Sequence, residues 1–372
     1  MAETAKNNRN LGIDILRGIA MFFVICQHIL GQGGIVANAG VGSGKYYFLS
    51  FLQILATCAV DVYGITTGYL MCEKRFRLSR IVKLWLTTVF WSVAVSCCFF
   101  VFVPESRTVS EMVSMFLPIL RGRYWFFTAY FVVMLISPVL NVVIRTLSRR
   151  QFKLLFAALF VIFGVVPFCS LGYDVMRISG GNHFAWMIAL YLIGGYLRKY
   201  YGLSAAAPSG SRKWLLGYFL IALVHLAYKI AVGLVGLPNY SDLLLTCVSP
   251  LIVGEAVCLF QYFRAVGEKI PADGIGGRVI RFAAPGIYAV YVIHVHPKVF
   301  WSSEIIALFR PWDSWNGIQV FGAMVVTALA VFTVCILLDA VRQRLFRVLK
   351  IDSAAERISD WIEQKVRRMI GD

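Results

Sequence analysis

Long apolar stretches alternate with short polar ones along almost the whole chain of 372 residues. About 20 mainly apolar residues are enough for a helix to cross the roughly 30 Å hydrocarbon layer of a membrane. The apolar windows lie at 11–36, 48–71, 82–103, 124–144, 154–171, 183–198, 214–235, 243–263, 283–305 and 317–341. This pattern predicts an all-α polytopic integral membrane protein of about ten transmembrane helices.

The positive charges predict the orientation of these helices. An even number of spans leaves both termini on one side, and we place that side in the cytoplasm. The cytoplasmic loops and flanks then hold 28 of the 36 Lys and Arg residues, the opposite side holds 7, and Lys229 lies inside a helix. Because Lys and Arg of short loops remain in the cytoplasm, we expect cytoplasmic termini and a location in a bacterial inner membrane.

Composition changes this picture little. The chain is 59% hydrophobic and only 15% charged, which is far too apolar for one soluble core. The formal charge of +17 comes from short clusters between apolar stretches, so we expect membrane lipids and no nucleic acid as partners. The nine cysteines lie in or beside apolar segments without metal-ligand spacing, and we expect no metal site. One membrane domain, 1–350, precedes a basic amphipathic cytoplasmic tail, 351–372.

The first helix carries the strongest candidates for chemistry. Asp14, Arg17 and His28 are ionisable groups at membrane depth, where such groups are costly and mark functional sites. At 100° per residue Arg17 and His28 differ by about 20° around the helix axis and lie roughly 16 Å apart along it. This spacing suits a coenzyme A thioester, with Arg17 on a phosphate or paired with Asp14 and His28 as a general base. A structural role, with Asp14–Arg17 capping the helix and His28 bonding a neighbouring helix, stays open.

A second group of polar residues lies late in the chain. Tyr288, Tyr291 and His294 recur every three residues and share one stripe of a helix. His296 lies about 200° from His294 around a regular helix, so the two cannot face the same site. Pro297 loosens the adjoining turn, and the choice between the two histidines stays open, with His294 the better candidate.

These segments resemble the acyltransferase 3 family. The Arg, ten residues, His spacing occurs within DILRGIAMFFVICQH, and VDVYGITTGYLM followed by RFRLSRIVKLW is similar to the second helix and basic stretch of that family. RYWFFTAYFVVMLISPVLN, WMIALYLIGGYLRKYY and AVYVIHVHP resemble its polysaccharide O-acetyltransferase branch, and the likeness spans roughly 9–350. Thr67-Gly68 stands where the family usually has Ser-Gly, and Gly181-Asn182-His183 replaces a Gly-Tyr-Ser.

The resemblance implies a function. In this family acetyl-CoA binds from the cytoplasm without a tightly bound cofactor, and its acetyl group passes to a hydroxyl of a surface glycan or lipid-linked glycan. The implied catalytic set is His28, Arg17 and Asp14. Further candidates for substrate binding are Arg75, Arg77, Arg80, Trp125, Tyr291 and His294.

Two functions from other classes compete with this one. A transporter also has polar residues at mid-membrane, and a non-catalytic membrane partner of a glycan-export system would keep the same fold. Within the enzyme hypothesis, the length of the acyl group and the identity of the acceptor remain open.

Overall fold

In the computed structural model, which describes residues 10–202, 211–267, 270–271 and 274–370, the regular structure is helical and contains no strand. The α-helices are α1 Leu11–Gly31, α2 Gly44–Thr57, α3 Ala59–Met71, α4 Leu78–Phe102, α5 Val109–Phe116, α6 Trp125–Thr146, α7 Arg149–Phe160, α8 Val166–Cys169, α9 Phe184–Tyr201, α10 Ser211–Leu234, α11 Pro250–Gly267, α12 Ile275–Ala283, α13 Ile287–His294, α14 Pro297–Phe300, α15 Ser303–Ala307, α16 Gly317–Val348 and α17 Ile351–Ile370. The all-α fold class is confirmed.

Seven helical segments of the described chain are long and apolar enough to cross a membrane, and one bent pair raises the number to eight. The seven are α1, α2 with α3, α4, α6, α7 with α8, α10 and α16, and the bent pair joins α12–α13 to α14–α15 at 59°. The windows at 183–198 and 243–263 form α9 and α11, helices of 18 residues that are not among these segments. The count of ten and the cytoplasmic termini therefore stay predictions.

Helix α1 lies at the centre of the bundle, where it packs against α2, α3, α11, α13 and α16. Its first turn is held by Asn10, whose side-chain oxygen accepts hydrogen bonds from the backbone N–H groups of Gly12 (3.0 Å) and Ile13 (3.3 Å). The Asn10 amide also donates to the Arg264 carbonyl of α11 at 2.9 Å. Asn10 thus caps α1 and anchors it to α11, and this contact helps to fix the position of the side chains that α1 carries.

Helices α3 and α9 approach each other so closely that only glycine fits at their crossing. A Cβ on Gly68 would lie 2.0 Å from the Tyr191 carbonyl oxygen, and one on Gly194 would lie 2.0 Å from the Ile65 carbonyl oxygen. Small residues allow this backbone contact between membrane helices. Gly68 therefore has a packing role in the Thr67-Gly68 pair.

The tail helix α17 docks against the beginning of α4. The Lys83 ammonium lies 2.6 Å from the Glu356 carboxylate, and Glu363 accepts a hydrogen bond from the Leu78 N–H at 2.5 Å. A carboxylate at this position compensates the positive end of the α4 dipole. The domain boundary at residue 350 and the cytoplasmic location of the tail stay predictions.

Candidate active site

Two histidines from distant parts of the chain meet inside the bundle. His28 Nδ1 of α1 lies 3.2 Å from His294 Nε2 at the end of α13, and His294 Nδ1 lies 2.5 Å from the Val290 carbonyl oxygen. A carbonyl only accepts, so His294 carries its proton on Nδ1, and its Nε2 accepts from His28 Nδ1–H. A neutral His28 then keeps an unprotonated Nε2, which is the nitrogen that a general base requires.

The helix break after α13 separates His294 from His296. His296 forms the N-cap of α14, with Pro297 at the first helical position, and its side chain joins another cluster. There its Nε2 lies 2.6 Å from an Arg123 nitrogen, and Arg123 pairs with Glu111 at 2.5 Å. Of the two histidines left open by the sequence, His294 is the one that contacts His28.

His28 lines a cavity of about 570 Å³. Its other walls carry amide, hydroxyl and aromatic groups, among them Gln27, Gln53, Thr57, Asn182, Trp125 and Trp301, and none of the described residues in its lining carries a formal charge at neutral pH. Gln27 donates to the Thr57 hydroxyl at 2.7 Å, while the Gln27 amide oxygen is buried without a protein partner among the described residues. Buried polar atoms are normally hydrogen-bonded, so the Gln27 oxygen is an exception in the wall beside His28.

A second cavity, of about 200 Å³, lies at the other end of α1 and is lined by Arg17, Lys74 and Tyr63 among others. Arg17 Nη1 is 3.7 Å from Asp14 Oδ1, and the Tyr63 hydroxyl donates to the Arg17 carbonyl at 2.6 Å. Burial, and then the charges of two nearby arginines, lower the pKa of Lys74 from its ordinary value. Two cations thus face a small space, an arrangement that suits an anion.

A layer of aromatic rings separates the two cavities. Phe126 lines the Arg17 cavity, and the preceding residue, Trp125, lines the His28 cavity. The Phe126 ring packs against Tyr291 at 5.5 Å and Tyr63 at 5.8 Å between centroids, and the Tyr291 ring lies 6.5 Å from His294. The site therefore has a cationic compartment and an uncharged one on opposite sides of a thin apolar partition.

The sequence between residues 10 and 339 matches the family model described as an acyltransferase domain of the acyltransferase 3 type. The chain belongs to the acyltransferase 3 family. The match covers nearly the whole bundle, including both cavities, and it makes this protein a membrane acyltransferase. No curated protein and no solved structure matches the chain.

Two of the remaining arginine candidates of this acyltransferase face a different space. Arg75 and Arg77 line a cavity of about 400 Å³ against α17, together with Asp360 and Glu363. Arg80 donates to the Arg75 carbonyl at 3.1 Å. The structure therefore does not place these arginines in the Arg17 cavity, and their role in substrate binding stays a prediction.

Three residues that the sequence analysis did not select belong to the two compartments. Lys74 lies three residues after the end of α3 and lines the Arg17 cavity, whereas Gln27 and Thr57 line the polar wall beside His28. Lys74 stands first in the basic run after α3, so the sequence did contain a signal for its role. For Gln27 the only signal in the sequence is its position next to His28.

Proposed function

We propose that this acyltransferase moves an acetyl group from cytoplasmic acetyl-CoA to a hydroxyl of a surface or lipid-linked polysaccharide in a bacterial inner membrane. The observation that carries the proposal is the His28–His294 pair, which presents a basic nitrogen in a cavity whose other lining groups are uncharged. No tightly bound cofactor is required, because the acyl donor supplies the activated group.

The donor enters at the Arg17 end. Coenzyme A has an anionic nucleotide and a slender arm that ends in the thioester, and Arg17 and Lys74 provide two cations for its phosphates. Arg17 and His28 are about 16 Å apart along α1, a distance that the extended arm spans. The thioester then reaches the aromatic partition, where Tyr291 and Trp125 lie close to His294 and the His28 cavity.

The chemistry follows from the tautomers of the histidine pair. His28 Nε2 removes the proton of the acceptor hydroxyl while the hydroxyl oxygen attacks the thioester carbonyl carbon. The carbon–sulfur bond breaks, and the thiolate of coenzyme A takes the proton from His28. The ester product forms with no net gain or loss of protons, and His294 holds the imidazole in the productive tautomer throughout.

The lining of the His28 cavity favours a sugar as acceptor. Amide and hydroxyl side chains match sugar hydroxyls, and Trp125 and Trp301 provide aromatic surfaces of the kind on which sugar rings pack. The described lining contains no Lys or Arg to pair with a carboxylate. An uncharged sugar unit therefore fits this cavity better than an amino acid or a uronic acid.

The test is transfer of labelled acetyl from acetyl-CoA to the cell-surface glycan by membranes holding equal amounts of each variant. We expect His28→Ala to lose transfer by about 10²–10⁴-fold, the usual contribution of a general base. His225→Leu is the control, since this buried imidazole on α10 makes no hydrogen bond among the described residues. Normal transfer by folded His28→Ala protein would refute the role of His28. Membranes without the protein that transfer as much acetyl as wild-type membranes would favour a transporter or a non-catalytic partner.

A further inference from the structure

An apolar groove of about 500 Å³ lies between the α7–α8 segment and helices α9, α10 and α11. Its described lining is uncharged and includes Leu159, Phe163, Trp186, Ile193, Val253 and Val257. The α7–α8 segment lies at the edge of the bundle, where only 11% of its apolar window is buried. A π-helical turn at Val161–Val165 interrupts this segment, and such turns are frequent at functional sites.

The groove and the His28 cavity share a wall that is one residue thick. Asn182 and Cys247 line the cavity, whereas Trp186 and Val248 line the groove. Gly181 lies between them with φ of +103°, and a Cβ there would come within 2.8 Å of Cys247 Cβ and 3.1 Å of Trp186 Cδ1. The two spaces therefore begin at the same end of the bundle and lie side by side.

The groove extends from this end along the apolar surface of the bundle. Its lining on α9 runs from Trp186 to Leu197, which is about 16 Å of helix. A molecule with a polar head in the His28 cavity would bend around Asn182 and extend an apolar chain of this length along the groove. The pair of spaces thus fits an amphiphile with a sugar head and a hydrocarbon tail.

We propose, on the basis of the acetyl transfer proposed above, that the groove binds the hydrocarbon chain of a lipid-linked glycan and thereby presents its sugar to His28. Two observations support this occupant: the groove directly adjoins the uncharged cavity, and its uncharged lining suits a chain and not a headgroup. An acceptor polymer without a lipid chain would leave the groove to ordinary bilayer lipids.

The experiment uses the full chain in nanodiscs of one phospholipid and compares two acceptors with the same sugar, one on a polyprenyl carrier and one as a methyl glycoside. We expect wild-type protein to show a KM at least tenfold lower for the polyprenyl acceptor. Val257→Trp fills the groove, so it raises this KM at least tenfold and leaves the values for the methyl glycoside and acetyl-CoA unchanged. Val224→Trp, on the exposed surface of α10, is the matched control outside the groove.

Each outcome has a distinct meaning. Equal KM values for the two acceptors with wild-type protein, or an equal effect of Val257→Trp and Val224→Trp, would overturn the inference and leave the groove to bilayer lipids. Val253→Phe, a smaller change in the same wall, gives the same comparison if Val257→Trp does not fold. Folded wild-type protein that acetylates neither acceptor would instead refute the proposed acetyl transfer.

Discussion

The hydrogen bond from His28 to His294 gives the sharpest quantitative prediction. Replacing His294 by Leu removes the acceptor for His28 Nδ1–H, which the structure places at 3.2 Å. Leaving a buried donor unsatisfied costs about 1–3 kcal/mol, and this cost falls mainly on the transition state, in which His28 becomes a cationic donor. Since about 1.4 kcal/mol corresponds to a factor of ten in rate, we expect kcat to fall roughly 5–150-fold. The KM for acetyl-CoA should change little, because Arg17 and Lys74 lie in the other compartment.

The assay is acetyl transfer at saturating donor and acceptor by His294→Leu, His294→Gln and the double variant with His28→Ala. Gln carries an oxygen near the position of His294 Nε2, so it should restore part of the lost rate. The double variant should be no slower than His28→Ala alone, because a positioning residue has no effect once its base is gone. Additive losses in the double variant, or an effect of His294→Leu on the KM for acetyl-CoA alone, would refute the reasoning.

Three further predictions concern the partition of the site and the packing around it. Arg17→Gln should raise the KM for acetyl-CoA at least tenfold and leave the KM for the glycan unchanged, and equal effects on both would contradict separate compartments. Trp125→Ala should raise the KM for the glycan and leave the KM for acetyl-CoA unchanged, because it removes a wall of the His28 cavity. An unchanged KM for the glycan would show that Trp125 does not contribute to acceptor binding. Gly68→Ala should lower the melting temperature markedly, since its Cβ would lie 2.0 Å from the Tyr191 carbonyl oxygen. Gly276→Ala is its control, because a Cβ there meets no atom within 4 Å, and equal melting temperatures for the two variants would contradict the packing argument.

The helical character of the protein and the relation between Arg17 and His28 follow from the sequence alone. Both depend on local geometry: long apolar windows form helices, and a helix of constant rise and rotation fixes how far apart two of its side chains lie. The same geometry predicted that His294 and His296 point in different directions. None of these conclusions requires knowledge of a neighbouring helix.

Other features were decided by tertiary structure. The sequence could not choose between His294 and His296, because the break at Pro297 ends the regular rotation on which the argument relied. In the sequence Lys74, Arg75 and Arg77 form one basic run, but Lys74 lines the Arg17 cavity whereas the two arginines line the cavity against α17. In a loop, side-chain direction has no fixed period, and it depends on what packs on either side.

The two cavities and the groove beside them depend on packing in the same way. The cavities lie between helices that are far apart in the chain, and the groove lies where α7–α8 packs on α9, α10 and α11 at the edge of the bundle. The periodicity of the sequence determines which residues share a face of each helix. Close contacts such as the α3–α9 crossing determine which faces meet and where space for a ligand remains. Such contacts exist only in the assembled bundle.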